Sequence, residues 1–150
     1  MSAIALPQYT LAVEKSRVAE ALTNAASLQK AIDVWLLENG YPTSDANFLG
    51  NNTNASGQLV VNLESGMDCN ANSGEACAGK NFSYTAACSI LTCYIQINRI
   101  SSTPYYIAWV KQNDTWSGDE CNYTDESPIG EKICKMLEAQ GNGFFACKDC

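Results

Sequence analysis

From Gln8 to Glu38 apolar residues recur at helical spacing, and no glycine or proline interrupts them. Set Leu11 at zero and turn roughly 100° per residue. Leu11, Val18, Leu22, Ala25, Ile32 and Leu36 then fall on one narrow face, flanked by Ala21, Leu28 and Trp35. Ser16, Glu20, Thr23, Asn24 and Ser27 lie opposite, where Val13 and Val34 interrupt the polar surface. Glu14 and Gln29 sit on or beside the apolar face, which a purely intramolecular core does not favour. The pattern predicts one helix about 46 Å long. Asn39-Gly40 supplies a left-handed C-cap, and Pro42 prevents continuation. Pro7 suits a first helical turn, or kinks a helix that begins further upstream.

Beyond the helix the period changes. Residues 43–80 are rich in Asn, Ser, Gly and Ala and read mostly as loop, with a short strand possible over Gln58–Leu63. Three further strands are expected: Phe82–Ala86, Cys93–Ile100 and Tyr105–Lys111, the last two joined by a turn over Ser101–Pro104. Tyr94 to Ile100 alternates as a half-buried antiparallel strand does. After Trp116 the chain reads as turns, with a short helical pattern over Gly130–Glu138. The expected fold class is α+β: a long helix whose apolar face packs on a small antiparallel sheet. We divide the single domain 1–150 into a helix through residue 39, a loop over 40–81, a sheet over 82–111 and a cysteine-rich region over 112–150.

Composition narrows the compartment. The net charge is −7, so a phosphate backbone is repelled and general nucleic-acid binding is not expected. The eight cysteines are Cys69, Cys77, Cys88, Cys93, Cys121, Cys134, Cys147 and Cys150. An even number confined to the loop-rich part of a short chain reads as disulfides in an oxidising compartment. Local pairings would be Cys69–Cys77, Cys88–Cys93 and Cys147–Cys150, with other connectivities open. The chain has no histidine, which weakens a zinc reading and removes the usual nucleophile–base pair. Catalytic residues, metal ligands and cofactors are therefore not assigned, and an enzyme is not expected. Cysteines that need export conflict with the N-terminus, because residues 1–6 are apolar but too short to span a bilayer. The expectation is a chain truncated at its start.

Several motifs carry a sharper and a plainer reading. Cys147-Lys148-Asp149-Cys150 is a C-x-x-C, but without the βαβ context of redox motifs it reads as a structural bond. Asp68, Asn70, Asn72 and Glu75 resemble the start of a calcium loop, but the glycine is one place late and Gly79 stands where a bidentate glutamate is needed. Asp119, Glu120, Asp125 and Glu126 form a second acidic cluster of equal standing. Trp109, Trp116 and Tyr105-Tyr106 read as strand packing before they read as a ligand surface. Asn-x-Ser/Thr sequons at Asn51, Asn54, Asn81, Asn113 and Asn122 are assigned no glycan.

Ala3-Ile4-Ala5-Leu6-Pro7-Gln8-Tyr9 resembles the end of the conserved hydrophobic stretch of type IV pilins and the related type II secretion pseudopilins. The resemblance continues through Ala19-Glu20-Ala21-Leu22 to Asn39-Gly40-Tyr41-Pro42-Thr43, and covers about the first 43 residues. It implies a transmembrane half-helix upstream of this chain, a cleaved leader, and membrane attachment through that missing segment alone. Pro7, Leu11, Val18, Leu22, Ala25, Ile32 and Leu36 would then form the face through which the helix packs and assembles. The resemblance also implies a bond between Cys121 and Cys134, closing a loop worth about 3 kcal/mol in the chain-entropy model. The implied function is a structural subunit of a surface filament serving adhesion, twitching motility or DNA uptake. Its partners would be other pilin subunits and the assembly machinery of the inner membrane. A pseudopilin, for which calcium is a possible ligand, and a minor pilin acting as a tip adhesin are the alternatives.

Overall fold

The computed structural model describes residues 5–49, Leu63 and residues 76–150. Helix α1 spans Ala5–Asn39 and carries Pro7 in its first turn. It ends as the sequence dictates. Gly40 takes φ +72°, and its N–H donates to the Leu36 carbonyl at 2.7 Å. The Asn39 side chain donates to the Trp35 carbonyl at 2.9 Å.

The strands follow as β1 (Ala46–Asn47), β2 (Ala76–Ala78), β3 (Phe82–Cys88), β4 (Cys93–Arg99), β5 (Tyr105–Gln112) and β6 (Thr115–Tyr123). Helix α2 (Pro128–Ala139) and strand β7 (Phe145–Lys148) complete the chain. The fold class is α+β. The sheet runs β1-β3-β4-β5-β6-β7, with β2 sharing the β3 edge with β1. Every pair is antiparallel except β6–β7, which is parallel and reached through α2. The sheet is thus mixed and larger than a small antiparallel one. It does not stop at residue 111, because the region 112–150 supplies two of its strands. The strand proposed over Gln58–Leu63 lies outside the described residues, save for Leu63, which is buried.

The turn-like reading after Trp116 is corrected to a nine-residue strand. Its residues are mostly polar, so hydrophobic alternation does not announce it. Pairing does. Asn113 and Asp114 both adopt positive φ (51° and 60°) between the paired Gln112 and Thr115, giving a two-residue hairpin turn with the twist the strands need. Further along, Ile107 faces Cys121 while Trp109 faces Gly118, so β6 carries one extra residue and bulges. On its other side β6 is covered by β7.

The core lies between α1 and one sheet face. Phe82, Tyr84, Ile95, Ile97 and Ile107 point inward and are buried. Helix α2 adds Ile133 and Leu137, and begins at Ser127, whose side chain accepts from the Gly130 N–H at 3.1 Å. The buried stripe of α1 is turned from the one expected. Ala21, Leu28 and Ile32 are its centre, with Val18, Ala25 and Trp35 beside them, and Leu11, Leu22 and Leu36 are only partly covered. The shift is about 60° around the helix axis. Two polar residues cause it: Glu14 and Asn24 are both buried on that stripe. Asn24, expected opposite the core, donates from Nδ2 to the Tyr84 hydroxyl at 2.8 Å.

Gly118 marks a close approach. A Cβ there would lie 2.7 Å from the Phe144 ring and 2.8 Å from the Asn142 carbonyl oxygen. Both neighbours are held, since the Gly118 N–H donates to that carbonyl and Phe144 is buried. Gly118→Ala should therefore destabilise the chain by about 1–3 kcal/mol through overpacking, read from urea unfolding midpoints. An unchanged midpoint would show that the Phe144 segment gives way freely.

Candidate functional site

Charge first gathers where α1 enters the sheet. The Glu14 carboxylate receives Arg99 Nε at 2.6 Å, the Tyr105 hydroxyl at 2.5 Å and Arg17 Nη1 at 3.3 Å. Arg99 Nη2 reaches the second Glu14 oxygen at 3.4 Å, Nη1 donates to the carbonyls of Asn81 (3.0 Å) and Ile100 (2.6 Å), and the guanidinium lies 5.5 Å from the Phe82 ring centroid. Glu14 is only 5% exposed and Arg99 9%, so each must be satisfied by the other. Burial pushes the Glu14 pKa up, but hydrogen bonds from Arg99 and Tyr105, with the charge of Arg99, outweigh it and hold it below the usual range. Burial and the bond to Glu14 drive the Tyr105 hydroxyl well above its ordinary range. The cluster joins α1 to β4 and β5 and reads as a clamp between helix and sheet.

A second polar contact lies near the other end of α1. Lys111 Nζ and Trp116 Nε1 both donate to Asp33 Oδ1, at 2.6 and 2.9 Å. Lys111 also lies 5.8 Å from the Trp116 ring centroid, which fixes the ring's orientation. Close by, Tyr41 donates to Asp114 at 2.9 Å, and burial together with that carboxylate pushes its hydroxyl up to about 12.

Between these two contacts a groove of about 390 Å³ opens on the flank of the molecule. Trp109 and Phe144 form its floor, packed edge to face at 5.4 Å. Leu22 and Ala26 of α1 form one wall and Trp116 of β6 the other. Among the described residues no charged side chain lines it; its polar groups are Gln29, Ser117 and Asn142. Both tryptophans singled out in the sequence thus meet here. Tyr105 and Tyr106 do not, because adjacent strand residues face opposite sides: Tyr105 reaches inward to Glu14 and Tyr106 outward to Glu120. Phe144 and the helix wall were not foreseen, since β7 and its approach carry no strong strand pattern.

The other candidate residues are placed as follows. Cys88–Cys93, Cys121–Cys134 and Cys147–Cys150 are disulfides, and Cys77 is also disulfide-bonded. The proposed bond from Cys69 lies outside the described residues, as does the calcium candidate at Asp68, Asn70, Asn72 and Glu75. Two members of the acidic cluster are engaged within the fold. Glu120 accepts from Tyr106 and Asn122, both at 2.7 Å, and Asp125 pairs with Lys148. Among the described residues, the one close grouping of metal-ligating types is Glu120 with Cys147 and Cys150, whose sulfurs are bonded to each other. Asn122 is buried and bound to Glu120, so its sequon is closed to a glycan. Of the expected helix face, Val18, Ala25 and Ile32 are consumed by the core, while Leu11, Leu22 and Leu36 lie at its margin. The side chain of Pro7 lies outside the described set. No helix among the described residues is long and apolar enough to cross a membrane.

Comparison with protein-family models, curated proteins and solved structures finds no match to this chain.

The Glu14 clamp predicts a pH signature. A carboxylate held below its unfolded pKa stabilises the fold above that unfolded value, and the contribution is lost as pH falls through the folded one. Urea midpoints measured from neutral pH downward should therefore fall on acidification below the ordinary glutamate value of about 4.3. Glu14→Gln should flatten that part of the curve. Arg99→Met, which strands a buried carboxylate, should cost about 3–5 kcal/mol at neutral pH. Parallel acid limbs in wild type and Glu14→Gln would show that the clamp carries no linkage.

Proposed function

We propose that this chain is the globular part of a structural filament subunit of the type IV pilin class. The observation that carries the reading is the two-sided use of α1. One stripe is buried on the sheet. Nearly opposite it, Ala12, Ala19 and Ala26 recur every seventh position and are exposed, as are Leu37 (88%) and, to one side, Val34 (55%) and Tyr9 (69%). Small residues at heptad spacing allow a second helix to approach closely, although Lys15 and Lys30 interrupt the stripe. Gln8, Tyr9, Thr10 and Ala12 are exposed ahead of Glu14, and Leu11 is only partly covered, so the helix reaches beyond the well-buried part of its stripe at that end. A domain that stands alone has little use for such an overhang; a subunit anchored and assembled through its helix requires one.

The resemblance of residues 3–43 supports the same reading, and so does the succession of long helix, loop, sheet and disulfide-bonded C-terminal region. Assembly would use the open stripe of α1 together with an apolar segment upstream. Copies of the subunit and an inner-membrane assembly machinery are the proposed partners, and a surface filament the proposed location. The pseudopilin alternative draws less support, because Glu120 and Asp125 of the C-terminal acidic cluster are engaged by Tyr106, Asn122 and Lys148.

Residues 1–150 should sediment as a monomer at micromolar concentration, because the open stripe of α1 is built of small side chains and interrupted by Lys15 and Lys30. Expressed with its upstream coding sequence in its own cell, the protein should form surface filaments visible by electron microscopy. Their absence, combined with a secretion defect on deletion, would replace this reading with the pseudopilin one.

A further inference from the structure

The β3–β4 hairpin ends in an apolar tip. Ile90 and Leu91 are 62% and 72% exposed, an unusual placement for adjacent large aliphatic residues. The tip is held firmly. The Cys88–Cys93 disulfide joins the last paired residues of the two strands, and both cysteines are buried. Within the loop, the Ser89 N–H donates to the Thr92 carbonyl at 2.7 Å. No charged residue occurs between Lys80 and Arg99, so this stretch is neutral in a chain of net charge −7. A rigid loop orders little further on binding, which removes one of the main costs of association.

The flank groove is the complementary feature. It is concave, floored by Trp109 and Phe144, walled by Leu22, Ala26 and Trp116, and lined by no charged side chain among the described residues. Its volume of about 390 Å³ accommodates two aliphatic side chains. The chain's own tip does not fill the groove: Ile90 and Leu91 are exposed and are not among the residues that line it. The disulfide keeps the tip in line with β3 and β4, whereas the groove is built from β5, β6 and α1.

We propose that the Ile90–Leu91 tip of one copy seats in the Trp109–Phe144 groove of a second copy. Knob and hole are built from different residues of one chain, so the contact is heterologous and repeats without closing unless the rotation forms a ring. Two side chains bury far less than the roughly 1,200 Å² of a self-sufficient interface. Isolated chains therefore remain monomeric when dilute, and the contact sets register between copies that helix packing already holds together. Its role rests on the filament reading, while its existence is testable without filaments.

The test is a dilution series of the 15N-labelled chain reaching millimolar concentration. The indole N–H signals of Trp109 and Trp116 are expected to shift with concentration. That of Trp35, packed on Phe48 in the core, serves as the fixed reference. In Ile90→Ser/Leu91→Ser the concentration dependence should vanish while the melting temperature stays unchanged, because both side chains are exposed. Indole signals that ignore concentration, or that still shift in the double variant, would overturn the proposal; the second result assigns the groove to another occupant. Filaments of the full-length protein separate the two ideas. If they form with unchanged subunit spacing in the double variant, the contact fails and the filament reading stands. If no filament forms while the dilution shifts depend on Ile90 and Leu91, the contact stands alone.

Discussion

The whole arrangement turns on one carboxylate. Glu14 lies on the stripe of α1 that faces the sheet, where an unpaired charge would not be tolerated. Arg99 at the end of β4 and Tyr105 at the start of β5 both reach it, so the helix is gripped at the hairpin that joins those strands. Apolar packing alone leaves a helix free to slide or roll by a residue at modest cost. A buried ion pair in which three side chains donate to one carboxylate leaves it a single register. The stripe is rolled about 60° from the most hydrophobic line for this reason. Once Glu14 and Asn24 are committed to Arg99 and Tyr84, Ala21, Leu28 and Ile32 must face the sheet.

That roll has two effects elsewhere. It brings Leu22 and Ala26 to the margin, where they become the wall of the flank groove rather than core. It also turns Ala12, Ala19 and Ala26 outward. The features that support assembly thus follow from how the helix meets its own sheet. At its far end Asp33 anchors Lys111 and Trp116, and so sets the other wall of the groove.

Much of this fold was legible in the residues. The unbroken run from Gln8, the Asn39-Gly40 stop and the alternation through Tyr94–Ile100 correspond to α1, its cap and β4. Strand β6 was hidden because its sequence is polar and its cohesion comes from pairing on both edges; only the Asn113-Asp114 turn, with exactly two residues between the paired positions, could have announced it. The true face of α1 was hidden by the habit of scoring Glu and Asn as solvent-facing, which a partner 85 residues away overrules for Glu14. The groove was half legible, in its tryptophans. Its floor needs Phe144, which a parallel strand beyond a helix delivers, and nothing local to residue 144 foretells that.

The parallel pairing of β6 with β7 carries a consequence for how the chain reaches this state. Cys121 and Ala146 are register partners separated by the whole α2 crossover. Closing so wide a loop is entropically slow, and parallel strands demand it. The Cys121–Cys134 bond spans the first half of that crossover and ties α2 directly to β6. With it in place, the free segment still to be ordered runs only from α2 to Phe145. Oxidation thus turns a distant pairing into a nearly local one, and the final strand docks as a short extension of structure already formed.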